Sequence, residues 1–161
     1  MKAFDVYRIA KMGIFATIYE IVTLLSSSLS YGQIQFRISE ALMLLCFFKK
    51  DYIISMTLGC FIANLFSPLG LIDAVFGTVA TLIAVILIYV CRERCGLFAV
   101  SLFPVITNAV IVAVELKIVY DMPLFVSMWW IALGEFACVS VLGVIIFKAI
   151  SRNKQFMKLI G

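Results

Sequence analysis

The sequence contains no histidine, and only 14% of its 161 residues are charged, whereas 65% are hydrophobic. Without histidine, a histidine general base, a Ser-His-Asp triad and most zinc sites are excluded. Soluble domains carry about 25% charged and about 45–50% apolar residues. The mean hydropathy is +1.16. The composition therefore predicts a chain embedded in a membrane and excludes a soluble globular domain.

Cysteine is present, but in a pattern that favours no metal site. The five cysteines are odd in number and lie in or beside apolar runs. Cys91 and Cys95 frame a charged turn, and two thiols without further ligands make a weak site. We interpret the cysteines as small buried hydrophobes. No metal and no cofactor are expected.

Six apolar segments follow one another along the chain. They cover residues of about 9–29, 38–48, 52–67, 71–91, 96–117 and 123–150. A spanning helix needs about 20 residues, so the second and third segments are too short to cross upright. Their ends must be covered by protein or line a cavity, because lipid cannot satisfy free backbone groups. The pattern predicts an all-α integral membrane protein, a single domain (1–161) of six transmembrane helices.

The basic residues predict the orientation of these helices. With six passes, every lysine and arginine except Arg37 and Lys117 falls on one side of the membrane. Basic residues favour the cytoplasmic side. We therefore expect both termini to be cytoplasmic. Five or seven passes would scatter the same charges over both sides.

The acidic residues show the opposite bias. Six of them lie within the membrane or towards its outer face: Glu20, Glu40, Asp73, Glu115, Asp121 and Glu135. A carboxylate at the bilayer centre costs about 2.5–3.5 kcal/mol, which makes intramembrane acids functional candidates. We interpret Lys117 and Asp121 as a solvated loop. The roles of Glu20 and Glu135, functional or internal hydrogen-bonding groups, stay open.

Polar and small residues recur at helical spacing, which predicts inward-facing stripes. The stripes are Gly13, Thr17, Glu20, Thr23 and Ser27; Thr57, Cys60, Asn64 and Ser67; Asp73, Gly77, Thr81 and Ala84; and Ser101, Pro104, Asn108 and Glu115. Glu40, Asn64, Asp73 and Glu115 lie near the outer ends of their helices. We expect them to converge on one pocket below the outer surface, covered by residues 26–37. Trp129 and Trp130 fit an interfacial belt as well as a stacking platform.

The chain carries no visible energy source. It has no G-x-x-x-x-G-K-[ST] phosphate loop, and it shows no internal repeat of the kind that builds secondary transporters. The sequence is therefore typical of a substrate-capture subunit that depends on a separate protein for its energy source. We do not expect an enzyme: an intramembrane protease usually needs a polar pair with histidine or a metal. An accessory membrane protein without a ligand is a further alternative.

Two motifs resemble those of QueT-type proteins. Residues 32–42 (GQIQFRISEAL) resemble the family signature after the first helix, and residues 64–70 (NLFSPLG), followed by Asp73 and Phe76-Gly77-Thr78, resemble the second. Asn108 and Gly134-Glu135 fit the later helices. The resemblance implies a substrate-binding (S) component of an energy-coupling factor (ECF) transporter, with the S-component bundle. It also implies the plasma membrane of a prokaryote.

The implied ligand is a queuosine precursor, a 7-deazaguanine such as preQ1 or preQ0. A carboxylate can accept its ring N–H and NH₂ together, and a second can pair with the ammonium of preQ1. The expected substrate-binding residues are Tyr31, Gln35, Arg37, Glu40, Asn64, Asp73, Asn108, Glu115 and Trp130. Which acid contacts which group stays open, as does the choice among preQ0, preQ1 and queuine. The alternative is an S component for another vitamin or nucleobase-like micronutrient.

The resemblance also implies protein partners, and no nucleic acid. These are an EcfT-type transmembrane coupling protein and two cytoplasmic ATPases. Related S components dock through Ala-x-x-x-Ala on the first helix, a spacing that Gly13 and Thr17 occupy here, with Ala10 and Ala16 nearby. Small residues permit close helix approach, so we expect these four residues to form the docking surface.

Overall fold

A computed structural model describes residues 6–30 and 35–160, and this part of the chain is helical without any strand. Helix α1 (Val6–Leu25) is followed by the short α2 (Ser27–Ser30) and by a 3₁₀ helix (Ile38–Phe47). Helices α3 (Asp51–Leu65) and α4 (Leu71–Cys91) come next. The chain continues through α5 (Leu97–Tyr120) and α6 (Leu124–Ile150), and then α7 (Lys154–Ile160).

All six predicted apolar segments are helical. Among the described residues, three helices are long and apolar enough to cross a membrane: α4, α5 and α6, with 21, 24 and 27 residues. At 1.5 Å per residue, each exceeds the ~30 Å of a bilayer core. The prediction of a membrane protein is therefore supported, with three clear spans. Helix α7 was not predicted; it is held by a bond of 3.0 Å from Tyr52 Oη to the Ile160 carbonyl.

The 3₁₀ helix lies at the centre of the bundle. Helices α1, α3, α4, α5 and α6 are neighbours in that order, and the 3₁₀ helix contacts α1, α3, α4 and α6. Its residues Ser39–Cys46 are buried except for Leu42, which is half-buried. Protein therefore covers the middle of this short segment, as lipid could not satisfy free backbone groups there. That its ends are covered as well stays a prediction, since Ile38 at its start is 38% exposed.

Small residues bring the helices into close contact. A β-carbon on Gly59 of α3 would lie 2.7 Å from the Ala16 carbonyl oxygen of α1. One on Gly143 of α6 would lie 3.2 Å from the Ala41 β-carbon in the 3₁₀ helix. Real β-carbons essentially never approach another atom to within 3.0 Å, so the 2.7 Å contact means that glycine is required at Gly59. These contacts set the spacing of α1 against α3 and of α6 against the central helix.

The face of α1 that packs inside differs from the predicted stripe. Ala16, Tyr19 and Thr23 are buried, whereas Gly13, Thr17 and Ser27 are exposed and Glu20 is half-buried. Burial of the large Tyr19 ring decides this rotation, since aromatic side chains bring the most area into a core. The correction also removes Ala16 from the expected docking surface, because it is only 4% exposed and packs on Gly59.

The two ends of the bundle differ in charge. One end, here called the basic end, has a cavity lined by Arg8, Phe48, Lys49, Lys50, Asp51, Tyr89 and Arg92. Arg8 of α1 and Asp51 of α3 form an ion pair there. Asp73 lies at the start of α4 and Tyr89 near its end, so Asp73 marks the opposite end. The clustering of basic segments agrees with the predicted charge asymmetry.

Candidate functional site

A network of polar side chains is buried in the half of the bundle that faces away from the basic end. It consists of Tyr19, Arg37, Glu40, Asn64, Asn108 and Glu135, each at most 3% exposed. We call these six residues the buried network. They come from α1, the 3₁₀ helix and its start, α3, α5 and α6. Burying a polar group without a hydrogen-bond partner costs free energy, so the contacts among these six residues determine whether the network is stable.

Arg37 joins the 3₁₀ helix to α3. Its Nη2 donates to Asn64 Oδ1 at 2.7 Å, and its Nε lies 3.3 Å from Glu40 Oε1. The backbone N–H of Glu40 donates to the Arg37 carbonyl at 3.0 Å. In a 3₁₀ turn, residues three apart in sequence lie on the same side of the helix, so this bond holds the Arg37 and Glu40 side chains next to each other. Arg37 is the one buried lysine or arginine among the described residues.

Asn108 joins two completely buried acids, Glu40 and Glu135. Its Nδ2 donates to Glu40 Oε2 and to Glu135 Oε1 at 3.1 Å. Tyr19 Oη donates to Glu40 Oε1 at 3.4 Å. Both carboxyl oxygens of Glu40 therefore accept hydrogen bonds from the chain itself. A ligand would have to displace Tyr19 or Asn108 before it could bind to these oxygens.

A turn between α3 and α4 places the next acid. Ser67 Oγ accepts bonds of 3.2 Å from the backbone N–H groups of Leu69 and Gly70, and Gly70 has a φ of +55° that favours glycine. The turn starts α4, with Asp73 in its first turn, where the helix dipole favours a carboxylate. Asn64 Nδ2 donates to the Asp73 carbonyl at 3.2 Å, which links this turn to the buried network.

A small cavity opens beside Asp73, with a volume of about 90 Å³. We call it the outer cavity; its lining residues are Gln35, Pro68, Leu69, Asp73, Glu115, Leu116 and Tyr120. Glu115 has no exposed surface, and within the described part of the chain neither of its carboxyl oxygens has a hydrogen-bond partner. Asp73 is 7% exposed. Two acidic residues thus line one small space.

The structure brings together seven of the nine residues expected to bind substrate. Gln35, Asp73 and Glu115 line the outer cavity, while Arg37, Glu40, Asn64 and Asn108 belong to the buried network. Their role in binding remains a prediction. The expectation that Glu40, Asp73 and Glu115 share one recess is wrong for Glu40, because the 3₁₀ winding turns it into the protein.

Two expected residues lie elsewhere. Tyr31 is outside the described residues. Trp130 is 44% exposed and does not line the outer cavity, because the inner face of α6 is formed by Ser127, Ile131 and Glu135. The exposed Trp130 therefore fits an interfacial belt rather than a stacking platform inside the protein.

Lys117 does not neutralise the buried acids. It pairs with Asp121, and both side chains are largely exposed, at 49% and 90%. The hydrogen bond from Lys117 holds the pKa of Asp121 below its usual value. The interpretation of this pair as solvated is confirmed, but Lys117 lies in the last turn of α5 and only Asp121 lies beyond the helix. Arg37 is then the only buried base beside Glu40, Asp73, Glu115 and Glu135 among the described residues.

Sequence reasoning missed Tyr19 and left Glu135 without a role. Tyr19 lies at helical spacing from Ala16 and Thr23, so a stripe drawn through these residues would have found it. Glu135 is completely buried and directly precedes a π-helical segment of α6 (Phe136–Gly143). Such segments frequently occur at functional sites, but no spacing in the sequence signals this winding.

A second candidate surface lies on the outside of α1. Ala10, Gly13 and Thr17 are exposed there, and a β-carbon on Gly13 would meet nothing within 4 Å among the described residues. We call these three residues the outer face of α1. An apolar groove of about 430 Å³ adjoins it, lined by Tyr7, Ala10, Lys11, Ile14, Phe15, Ile18 and Leu42.

Comparison with known proteins gives one family and one curated relative. The model of the QueT transporter family matches residues 9–152. The queuosine precursor transporter QueT of Lactococcus lactis subsp. cremoris (strain MG1363) is 35% identical over 157 residues, covering 85% of this chain and 88% of the relative. No solved structure matches the chain significantly.

Proposed function

This chain belongs to the QueT transporter family, and on that premise we propose that it is the substrate-capture subunit of an ECF-type importer. Its ligand would be a queuosine precursor, a 7-deazaguanine bound from the outer face of the membrane. The observation that carries the proposal is the contact between the buried network and the outer cavity, at the end of the bundle opposite the basic residues.

The chemistry of these residues suits a 7-deazaguanine. Its pyrimidine ring offers adjacent N–H and NH₂ donors, for which a carboxylate is the natural acceptor. Its ring carbonyl needs a donor, a role that suits Asn64 or Arg37 once the ligand reaches the network. Burial strengthens both kinds of bond, because the interior lacks competing water. The proposal covers preQ0, preQ1 and queuine alike.

The proposed topology is one domain of six transmembrane helices with both termini in the cytoplasm. Clustering of Arg8, Lys49, Lys50 and Arg92 at one end supports it, since basic residues favour the cytoplasmic side. The outer cavity then opens outwards, as capture from outside requires. The membrane would be the plasma membrane of a prokaryote.

The outer face of α1 would dock an EcfT-type coupling protein that works with two cytoplasmic ATPases. Exposed small residues let another helix approach closely, and Ala10, Gly13 and Thr17 offer such a surface. Ala16 is left out of this proposal because it is buried within the chain.

Ligand binding to the purified chain tests the proposal. The chain, reconstituted in nanodiscs, is titrated with preQ1, preQ0, thiamine, riboflavin and biotin in a calorimeter. Binding of at least one deazaguanine at micromolar concentration or below, and of no vitamin, is the expected result. Failure of all deazaguanines would overturn the assignment, and binding of a vitamin instead would support the alternative S component.

A further inference from the structure

We propose that Asp73 and Glu115 form a receptor for a primary ammonium group of the ligand. The inference rests on the proposed function and deepens it, because it selects among the 7-deazaguanines by charge. It starts from the outer cavity, where these two carboxyl groups line the same space.

Glu115 is placed to bind something that the chain does not supply. It is completely buried, and within the described residues both of its carboxyl oxygens lack a hydrogen-bond partner. A buried carboxyl group without partners is strongly unfavourable. Because Glu115 lines the outer cavity, a ligand that enters the cavity satisfies this carboxyl group once the side chain turns towards it.

The other buried acids are already engaged. Glu40 accepts bonds from Tyr19 and Asn108, and Glu135 accepts one from Asn108. Glu135 retains one oxygen without a partner among the described residues, but it does not line the outer cavity. Recognition of an incoming group in this cavity therefore falls to Asp73 and Glu115.

The charge balance indicates a cation. Five carboxyl groups are buried in the described chain, and one of them, Asp51, pairs with Arg8 at the basic end. The other four, Glu40, Asp73, Glu115 and Glu135, accompany one buried guanidinium, that of Arg37. Lys117, the nearest further base in sequence to Glu115, is paired with Asp121 at the surface. A neutral ligand would leave both acidic residues of the cavity without a counter-charge, whereas an ammonium attracts both.

The size of the cavity indicates a small substituent. Sites for whole drug-sized ligands measure about 300–1,000 Å³, whereas the outer cavity measures about 90 Å³. A space of this size matches an aminomethyl group better than a whole bicyclic ring. Within the described residues, no group of three or more histidine, cysteine, aspartate or glutamate side chains is placed to hold a metal ion, whereas an ammonium with three N–H donors needs only a few acceptors.

A matched pair of ligands tests the inference. The aminomethyl compound preQ1 and the nitrile preQ0 share the ring and differ in the charged substituent. Their dissociation constants are measured in nanodiscs at pH 7 for the wild type, Glu115→Gln, Asp73→Asn and the control Asp121→Asn. The control removes the same charge just beyond the end of the helix that carries Glu115, at an exposed position.

We expect the wild type to bind preQ1 at least about tenfold more tightly than preQ0. Glu115→Gln and Asp73→Asn should each weaken preQ1 about tenfold or more and preQ0 less than about threefold, and Asp121→Asn should change neither. Size-exclusion profiles confirm that each variant is folded.

Other outcomes separate this inference from the proposed function. Three outcomes would overturn the ammonium receptor and leave a deazaguanine transporter. The wild type could bind the two compounds with equal affinity, Glu115→Gln could weaken both equally, or Asp121→Asn could lose as much affinity for preQ1 as Glu115→Gln. If neither compound binds to the wild type, the proposed function fails, and the receptor fails with it. If one variant does not fold, the wild-type preference and the other variant still decide.

Discussion

The side-chain amide of Asn64 on α3 fills the space that a β-carbon at Gly77 on α4 would occupy. This contact lets Asn64 reach two elements at once, since its Oδ1 accepts from Arg37 and its Nδ2 donates to the Asp73 carbonyl. Gly77 is therefore part of the site although it has no side chain. The missing β-carbon allows the buried network and the outer cavity to meet.

Gly77→Ala should impair ligand binding without touching a ligand. The added methyl group must displace Asn64, which disturbs the contacts of Arg37 and Asp73. We expect a loss of stability of about 1–3 kcal/mol, the usual effect of overpacking, and a deazaguanine affinity at least about tenfold lower. Thermal unfolding in detergent and calorimetric titration measure the two effects.

Gly96→Ala is the matched control for Gly77→Ala. A β-carbon on Gly96 would meet nothing within 4 Å among the described residues, and the residue is exposed. Its affinity and melting temperature should stay at wild-type values. If the two variants behaved alike, the contact between Gly77 and Asn64 would be irrelevant to the site.

Replacing Asn108 should distinguish a donor from a mere space-filler. Asn108→Asp exchanges the amide N–H groups between Glu40 and Glu135 for a third carboxyl group. Removing a donor to buried charged groups costs about 1.5–3 kcal/mol, and like charges add to that loss. We expect Asn108→Asp to unfold at a lower temperature than Asn108→Ala at pH 7. The reverse order would contradict the role of Asn108 as a bridge.

Gly13→Leu should separate transport from binding. The position is exposed and has free space within the described chain, so the fold and the affinity should persist. If the outer face of α1 docks a coupling protein, the bulky side chain should abolish uptake in cells that express the assembled transporter. Radiolabelled ligand uptake and calorimetric binding are compared in the same variant.

Gly59→Leu provides the contrast for Gly13→Leu. Its side chain would strike the Ala16 carbonyl at the packed interface of α1 and α3, so both folding and binding should fail. Loss of binding in Gly13→Leu as well would assign that face to the core of the chain and remove the docking proposal.

The ion pair of Arg8 and Asp51 should make stability depend on pH at the basic end. Hydrogen bonding to Arg8 holds the pKa of Asp51 below its usual value of 3.8. A lowered pKa adds stability above the unfolded-state value and loses it as the pH falls through the folded-state value. Because Arg8 is 44% exposed, Asp51→Asn should cost only about 0.5–1 kcal/mol at pH 7.

Thermal melts at several pH values check this pair. The difference between wild type and Asp51→Asn should shrink as the pH falls below 3.8 and vanish once Asp51 is protonated in the folded state. Glu93→Gln, at a pair whose acid is 78% exposed, should show almost no difference at any pH. A gap between wild type and Asp51→Asn that persists in acid would show that Asp51 acts through packing and not through its charge.

Most residues of the candidate site could be predicted from spacing alone. Asn64, Asp73, Asn108 and Glu115 lie on inward faces of α3, α4 and α5, as the stripes predicted. Such helices bury small and polar residues together because lipid cannot hydrate them. On these three helices, the polar residues at helical spacing predicted the inward face.

The first helix was predicted less well. Its polar residues Thr17 and Glu20 indicated one inward face, whereas the structure buries Ala16 and Tyr19. On this helix, small and polar residues serve two surfaces, one towards Gly59 and one outside. Spacing cannot tell which of the two faces the protein, because both satisfy the same period.

By itself, the sequence determined the membrane class, the six apolar helical segments and the clustering of basic residues at one end, since hydropathy and charge act locally along the chain. Only the tertiary structure decided that Glu40 joins Asn108 and Glu135 while Asp73 and Glu115 share a cavity. The reason is geometric. The winding of the 3₁₀ helix and the close contacts at Gly59 and Gly77 set the rotation of each helix, and rotation determines which buried charges meet.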